Sequence, residues 1–264
     1  MSPSAVLLLA SLLCGPAAQD ETPPADGKPV DVEAVATEQD VEQELTLEVG
    51  LSLDQGASDI LGINTGMSYL RRTSLLEFIL TGDFNYLENG GVVLQEYDAV
   101  NVTTDLFHRE TWSPFGLASW EKDRRRKIDR RLQAGLGVKR LLHDTERAKY
   151  SLSLALIYED EEYSVVENVS DAVIASLRWK SRTNFGIKSH LDVVTFYQVF
   201  TDDTSHYRLN TEVELETKVT EALSLSVSAI DLYDSSPRSP DVSENQLRVR
   251  VLLGYTFALG AAKE

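Results

Sequence analysis

The sequence has a single cysteine, Cys14, among its 264 residues. One thiol can build neither a disulfide framework nor a thiolate metal site. Basic residues are also scarce, since 42 acidic residues face 25 lysines and arginines and the formal net charge is −17. Because phosphate binding needs a basic surface, this balance argues against a nucleic acid as partner.

Long apolar runs are nearly missing as well. The main one is AVLLLASLL at residues 5–13, followed by small residues at Ala17 and Ala18. This pattern predicts a signal peptide over residues 1–18 that is cleaved on export, although the usual basic residues at its start are absent. No other segment approaches the roughly 18 apolar residues that a spanning helix needs. If the exported chain enters a membrane, it must do so with strands.

Residues 19–43 are acidic, contain prolines and show no apolar period. Such a segment cannot bury enough surface to offset the entropy of ordering it. We therefore expect a disordered acidic tail on the periplasmic side.

From residue 44 to residue 257, apolar and polar residues alternate. In YRLNTEVELETKV (residues 207–219), Leu209, Val213 and Leu215 lie on one face, and Arg208 and Glu214 lie on the other. A period of two predicts an extended strand with one apolar face. About twelve such segments follow one another, and most are roughly 10–13 residues long, against about 5–6 for strands of soluble domains.

The predicted connections favour a membrane barrel. Turns of about two to four residues alternate with longer loops, which we place near residues 87–93, 122–129, 160–168, 201–205 and 234–244. The sequence thus predicts an all-β fold, an antiparallel up-and-down transmembrane β-barrel of about 12 strands in the outer membrane, with a C-terminal tail at residues 258–264. The alternative is a soluble, secreted β-sandwich that acts as a binding module.

Basic side chains lie opposite the aliphatic ones within the strands, as expected if a Lys or Arg facing lipid costs about 2–4 kcal/mol. Arg140 is the exception, but it lies near a turn, where its charge can reach water. The predicted lumen-lining residues are Glu48, Glu77, Asp83, Asp105, Arg131, Lys139, Arg178, Lys188, His190, Asp192, Glu212, Glu214, Glu216, Arg248 and Arg250.

These charges allow two interpretations. Opposed acidic and basic walls would form a narrow channel that selects small charged or zwitterionic solutes. Alternatively, an internal ion-pair network would fill and lock the lumen. Twelve strands lie between the ~8 whose interior side chains can fill and the ~16 that leave an open channel, so width alone does not decide.

One basic run, Arg124, Arg125, Arg126 and Lys127, falls in a predicted outer loop. Arginine suits the phosphates of lipopolysaccharide, although surface charge runs are often simply solvated. The other partners we expect are outer-membrane lipid and, during biogenesis, the barrel-assembly machinery.

We predict no catalytic residue, no cofactor and no metal site. Among the four histidines (His108, His143, His190 and His206), His190 lies mid-strand on the lumen face. An outer-membrane lipid-modifying enzyme is the alternative, and it would need a nucleophile such as Ser226 beside this ring. An intervening strand would separate the two by about 9–10 Å.

A family resemblance lies in residues 105–163. It is carried by WEKD from Trp120 to Asp123, then Asp129-Arg130-Arg131, then the alternating glycines Gly135 and Gly137. This segment resembles the salt-induced outer-membrane protein family of Gram-negative bacteria, which is catalogued as a domain of unknown function. The resemblance extends loosely over residues 44–257 and implies an integral outer-membrane barrel, for which we expect a structural or envelope-stress role. The ALGAAKE ending and the RRRK run depart from the family pattern.

Overall fold

Twelve antiparallel strands close into one barrel in a computed structural model that describes residues 42–55, 60–89, 92–164, 166–237 and 242–259. The predicted fold class is confirmed. Among these residues no helix is long and apolar enough to cross a membrane. The predicted signal peptide, nearly all of the predicted acidic tail and residues 260–264 lie outside the described residues.

Each strand pairs with its neighbours in sequence, and β1 pairs with β12 to close the sheet. The strands are β1 (Glu42–Gln55), β2 (Ile60–Arg72), β3 (Leu76–Asn89), β4 (Val92–Leu106), β5 (Trp112–Asp123), β6 (Ile128–Asp144), β7 (Ala148–Tyr163), β8 (Val166–Phe185), β9 (Ser189–Phe200), β10 (Tyr207–Lys218), β11 (Leu223–Asp234) and β12 (Asn245–Ala258). We call the end where β1 begins and β12 ends the proximal end, and the opposite end the distal end.

The predicted difference between short turns and long loops is wrong at three distal connections. One of them is the four-residue turn at residues 124–127, between Asp123 at the end of β5 and Ile128 at the start of β6. β3 ends at Asn89 and β4 begins at Val92, and β7 ends at Tyr163 with β8 beginning at Val166. At the end of β7 buried and more exposed side chains still alternate, so residues predicted to be a loop extend the strand instead. Glu159 and Glu161 consequently lie within β7.

The turn between β8 and β9 also lies later than predicted. β8 runs to Phe185, and Gly186 has a φ of 72°, a left-handed conformation that glycine adopts without strain. The turn therefore contains Lys188, which is exposed. The prediction that Lys188 lines the lumen within a strand is wrong for this reason.

The outer face of the barrel is apolar, with aromatic rings near the strand ends. At the proximal end Tyr150 stacks on His143 and Trp179, with ring centroids 5.6 and 6.0 Å apart. Toward the distal end Tyr197, Tyr207 and Tyr233 form a row with centroids 5.7–5.8 Å apart. Two aromatic bands that flank exposed aliphatic side chains are typical of a barrel that spans a bilayer.

Arg140, the one base predicted on the apolar face, lies over the Trp112 ring at 5.2 Å. Both residues are at the proximal end of the barrel, since Trp112 begins β5 and Arg140 pairs with it in β6. A cation–π contact at the interface gives this charge a partner where water is within reach.

Part of the interior is a small apolar core, which the sequence pattern did not predict. Ile157, Ile174 and Phe200 are buried against one another on the inner face of β7, β8 and β9. Phe115 on β5 is buried as well, and a Cβ at position 137 would lie 2.5 Å from its Cζ atom, so only glycine fits at Gly137. On this side the lumen is filled by side chains.

Candidate functional site in the barrel lumen

The strand register places every predicted lumen-lining residue except Lys188 on the inner face. Neighbouring inner positions pair across the sheet, as Glu214 does with Asp192 and Ser228, and Glu48 does with Gly66 and Gly254. These residues do not form one cluster. They divide into a distal group of buried ion pairs, a central group around Arg250 and a proximal group that solvent reaches.

The distal group is centred on an arginine that reaches across the interior. Arg208 on β10 donates from Nη1 to both carboxylate oxygens of Glu159 at 2.8 and 2.9 Å, and from Nη2 to those of Glu161 at 3.0 and 3.2 Å. Arg131 donates to Glu161 and, at 2.8 Å, to Glu121. We call Arg131, Glu159, Glu161 and Arg208 the distal plug.

The distal plug is almost completely shielded from solvent. The side chains of Arg208, Glu159 and Glu161 are 3%, 1% and 2% exposed. Because β8 and β9 separate β7 from β10 in the sheet, Arg208 meets these glutamates across the interior and not along the wall. Such a contact narrows the lumen to the point where water does not reach the charged atoms.

Further side chains hold Arg208 in place. Its guanidinium lies 4.8 Å from the Phe200 ring centroid, and its Nε donates to Asp234 at 3.2 Å. The His206 ring stacks on Phe200 at 3.8 Å, and its Nε2 lies 2.9 Å from Asp234. The guanidinium therefore has carboxylate partners on two sides and an aromatic face on a third.

Arg248 makes a second contact across the lumen. From β12 its guanidinium lies 4.3 Å from the centroid of Tyr97 on β4, and one of its nitrogens is 4.0 Å from Asp123. Cation–π contacts of this kind are strongest where the cation has lost its water. Together with the distal plug, this contact closes the distal part of the lumen.

The predicted basic loop is a tight turn at residues 124–127, between β5 and β6. Arg126 turns into the barrel, where it lies 3.5 Å from Glu121 and 4.0 Å from Asp234. The prediction of an outward basic surface is therefore wrong for Arg126, whose guanidinium pairs with carboxylates of the inner face. Arg124 is exposed, whereas Arg125 and Lys127 are half-buried.

The central group is held by Arg250 on β12. Its Nε donates to Ser228 at 3.1 Å, its Nη1 to Asp83 at 3.2 Å and its Nη2 to Glu212 at 2.6 Å. Asp83 belongs to β3 and Glu212 to β10, so this arginine joins two separated parts of the wall. Two of its three donors thus bind one carboxylate on each side of the lumen, and the third binds the Ser228 hydroxyl.

The proximal group carries successive bases on β8. Lys180 points inward and its side chain borders free space, so the lumen is not filled at this level. Arg182 forms a forked pair with Asp192 at 2.7 and 2.5 Å. Arg178 lies 5.2 Å from the centroid of Phe115. The lumen is therefore an open vestibule at the proximal end and is closed toward the distal end.

His190 does not lie beside the serine that a hydrolase would need. His190 pairs with Glu216 on β10, and Glu216 pairs in turn with Ser226 on β11. One full strand thus separates the histidine from the serine. His190 lies 3.9 Å from Asp192, and the histidine that contacts a carboxylate most closely is His206, in the distal group.

Sequence reasoning did not single out Arg208, Glu159 or Glu161, which make the most extensive buried network. The sequence did place Arg208 on the polar face of its strand, and this was the feature that could have indicated an inward position. The two glutamates belong to the acidic stretch YEDEEYSVVENVSD at residues 158–171, whose composition predicted a solvated loop. Continuing the alternation from Tyr158 would have placed both on the inner face.

Comparisons with known proteins agree with this geometry. The sequence profile of a family described as "Protein of unknown function, DUF481" matches residues 47–257. The chain belongs to the DUF481 family. No curated protein matches this DUF481 sequence at a significant level.

Several solved structures align with this chain over most of their length. The NanC porin aligns with a TM-score of 0.55 at 9% identity, over 79% of this chain and 98% of that one. The KdgM porin in complex with disordered oligogalacturonate gives 0.47 at 14% identity, over 80% and 99%. An anion-selective porin from Comamonas acidovorans gives 0.43 at 9%, over 83% and 100%. The likeness to the NanC porin shows a shared fold, and this DUF481 protein is an outer-membrane-type β-barrel.

Proposed function

We propose that this protein is an integral outer-membrane β-barrel with a structural, non-enzymatic role in the cell envelope. The observation that carries the proposal is the contact of Arg208 with Glu159 and Glu161 across the interior, since buried ion pairs in this position lock the barrel and close it. The apolar outer face and its aromatic bands suit outer-membrane lipid. The predicted signal peptide at residues 1–18 supports export with cleavage.

The orientation follows from the positions of the two chain ends. β1 begins and β12 ends at the proximal end. The longest connection, between Asp234 and Asn245, lies at the distal end. Because long loops are typical of the extracellular side of such barrels, the vestibule faces the periplasm and the distal plug faces outward. The exposed Arg124 then lies where lipopolysaccharide phosphates are found, and assembly follows the route of other outer-membrane barrels. The resemblance to the salt-induced family supports a role under envelope stress.

A second function is favoured by the exposure of Lys180 within the lumen. An open vestibule lined by both signs of charge admits small charged solutes as far as Arg250. Passage through the barrel then requires the distal plug to open. The closed barrel is the resting state, and solute passage is conditional on a rearrangement around Arg208.

The proposal is tested in two steps with the full chain. Outer-membrane fractions are run on a gel with and without boiling, and we expect the protein in that fraction with heat-modifiable migration. Purified protein is then placed in liposomes loaded with a small charged dye. We expect wild-type liposomes to release dye no faster than empty ones, and Arg208→Ser liposomes to release it measurably faster.

Arg182→Ser is the matched control, because it removes an arginine of the lumen that pairs with a carboxylate but lies in the open vestibule. Its liposomes should retain dye as the wild type does. Rapid release from wild-type liposomes would contradict the closed resting state. A protein found in the soluble fraction with unchanged migration would contradict the membrane barrel itself.

A further inference from the structure

A cavity lies in the middle of the lumen, between Arg250 and the inner faces of β9 to β11. Its volume is about 220 Å³, and the residues used below are Asp83, Phe196, Glu212, Ile230, Leu232 and Arg250. At about 30 Å³ per water molecule, this is room for roughly seven waters. We call it the central cavity.

The charged groups that a ligand can reach in the central cavity are carboxylates. Arg250 is only 10% exposed and donates to three partners, whereas the side chains of Asp83 and Glu212 are 28% and 38% exposed. Arg248 is covered by the Tyr97 ring. The carboxylates each keep an oxygen for another donor, so the free hydrogen-bonding capacity of the cavity is that of an acceptor with negative charge.

More negative charge surrounds this position. Glu214 and Glu216 follow Glu212 at successive inner positions of β10, and Glu48 faces the lumen from β1. In the part of the chain that the structure describes, no ion pair within 4.0 Å is found for these three glutamates. These glutamates attract a positively charged group to the β10 side of the central cavity. On the β8 side, Arg178 lies over the Phe196 ring, with 6.0 Å between its guanidinium carbon and the ring centroid.

The wall beside Glu212 is apolar. Ion pairs that only hold the barrel together would not need apolar side chains at this place. In the register, Val194 and Ile230 flank Glu212 on the two neighbouring strands, and Phe196 and Leu232 flank Asn210 in the same way. All four apolar side chains remain half-exposed. Covering them would gain about 25 cal/mol per Å² of apolar area.

We propose that the central cavity binds a small organic cation, an amine with an apolar body. The ammonium group donates to Glu212 and Asp83, and the apolar body packs against Phe196, Ile230 and Leu232. The ligand reaches the cavity from the open proximal vestibule. No residue of the distal plug lines the central cavity. A failure of the binding proposal would therefore leave the proposed structural role unaffected.

The test uses three probes of nearly equal size and different charge: 2-phenylethylammonium, 2-phenylethanol and 3-phenylpropanoate. Each is titrated calorimetrically into the full barrel in detergent, after heat-modifiable migration has confirmed folding. We expect the ammonium probe to bind at least tenfold more tightly than either of the others. Glu212→Gln should weaken its binding about tenfold, since a charge-assisted hydrogen bond is replaced by a neutral one.

A second variant is needed because Glu212→Gln also removes a partner of Arg250 and could change binding by moving that arginine. Asn210→Asp adds a carboxylate beside Phe196 without touching the Arg250 contacts, and it should tighten binding of the ammonium probe several-fold. The matched control is Glu110→Gln, which removes one charge from an exposed turn and should leave binding unchanged. Equal or tighter binding of the alcohol or the carboxylate, no binding of the ammonium probe at millimolar concentration, or an unchanged affinity in both cavity variants would overturn the proposal.

Discussion

Replacing Arg208 by methionine should destabilise the barrel far more than a typical surface substitution. The change removes four hydrogen bonds to Glu159 and Glu161 and one to Asp234, and it leaves two buried carboxylates to share Arg131. Breaking a buried ion pair by removing one partner costs about 3–5 kcal/mol, because a charge stays buried without compensation. At about 1.4 kcal/mol per tenfold, the folded-to-unfolded ratio falls by roughly 10²–10³.

The assay is equilibrium unfolding in urea, with the barrel in phospholipid vesicles and tryptophan fluorescence as the signal. Arg182→Met is the comparison, since it removes an arginine that is 47% exposed from its pair with Asp192, whereas Arg208 is 3% exposed. Such pairs contribute about 0–1 kcal/mol.

The double variant Arg208→Met with Glu159→Gln should recover part of the lost stability, because it removes one of the uncompensated charges. A cost below about 1 kcal/mol for Arg208→Met, equal to that of Arg182→Met, would refute the reasoning that the distal plug locks the barrel.

Three further expectations concern the wall and the vestibule. Leu136→Arg places a charge on the most exposed part of the outer face of β6 and should lower the free energy of unfolding in vesicles by about 2–4 kcal/mol. Leu142→Arg, near the strand end, should lower it by about 0–1 kcal/mol. Equal costs would contradict a lipid-facing outer surface. Gly137→Ala should lower the temperature of the heat-dependent gel shift because its Cβ meets Phe115, while Gly116→Ala, whose nearest neighbour is at 3.5 Å, should not. Lys180→Cys should react with a membrane-impermeant thiol reagent in the folded barrel, and a lack of reaction would contradict the open proximal vestibule.

The strands and their two faces could be predicted because both follow from local alternation. Leu209 and Glu214 are assigned to opposite faces by their positions in one strand, and no distant contact is needed. The outward rings of Tyr150 and Tyr207 were predictable for the same reason.

The distal plug could not be predicted, since it depends on which inner positions lie opposite one another in the closed barrel. Arg208 and Glu159 are 49 residues apart, and only closure with this register brings them together. The inner apolar core is a similar case. Ile157 and Ile174 lie in strands that are apolar on both faces at that point, so alternation does not show which side is the interior.

Lengths of connections were the weakest part of the prediction. Acidic and polar residues such as Glu159 and Glu161 are common in loops, and composition alone assigned them there. In the structure each meets an arginine inside the barrel, so the charges of these strand residues are compensated there.

The most direct test of the closed barrel is single-channel recording from the purified full chain in planar lipid bilayers at high salt. Because contacts of Arg208 and Arg248 close the distal lumen, we predict no stepwise conductance for the wild type and the appearance of steps for Arg208→Ser. A wild-type protein that conducts ions in regular steps, unaffected by Arg208→Ser, would contradict the closure of the lumen by the distal plug.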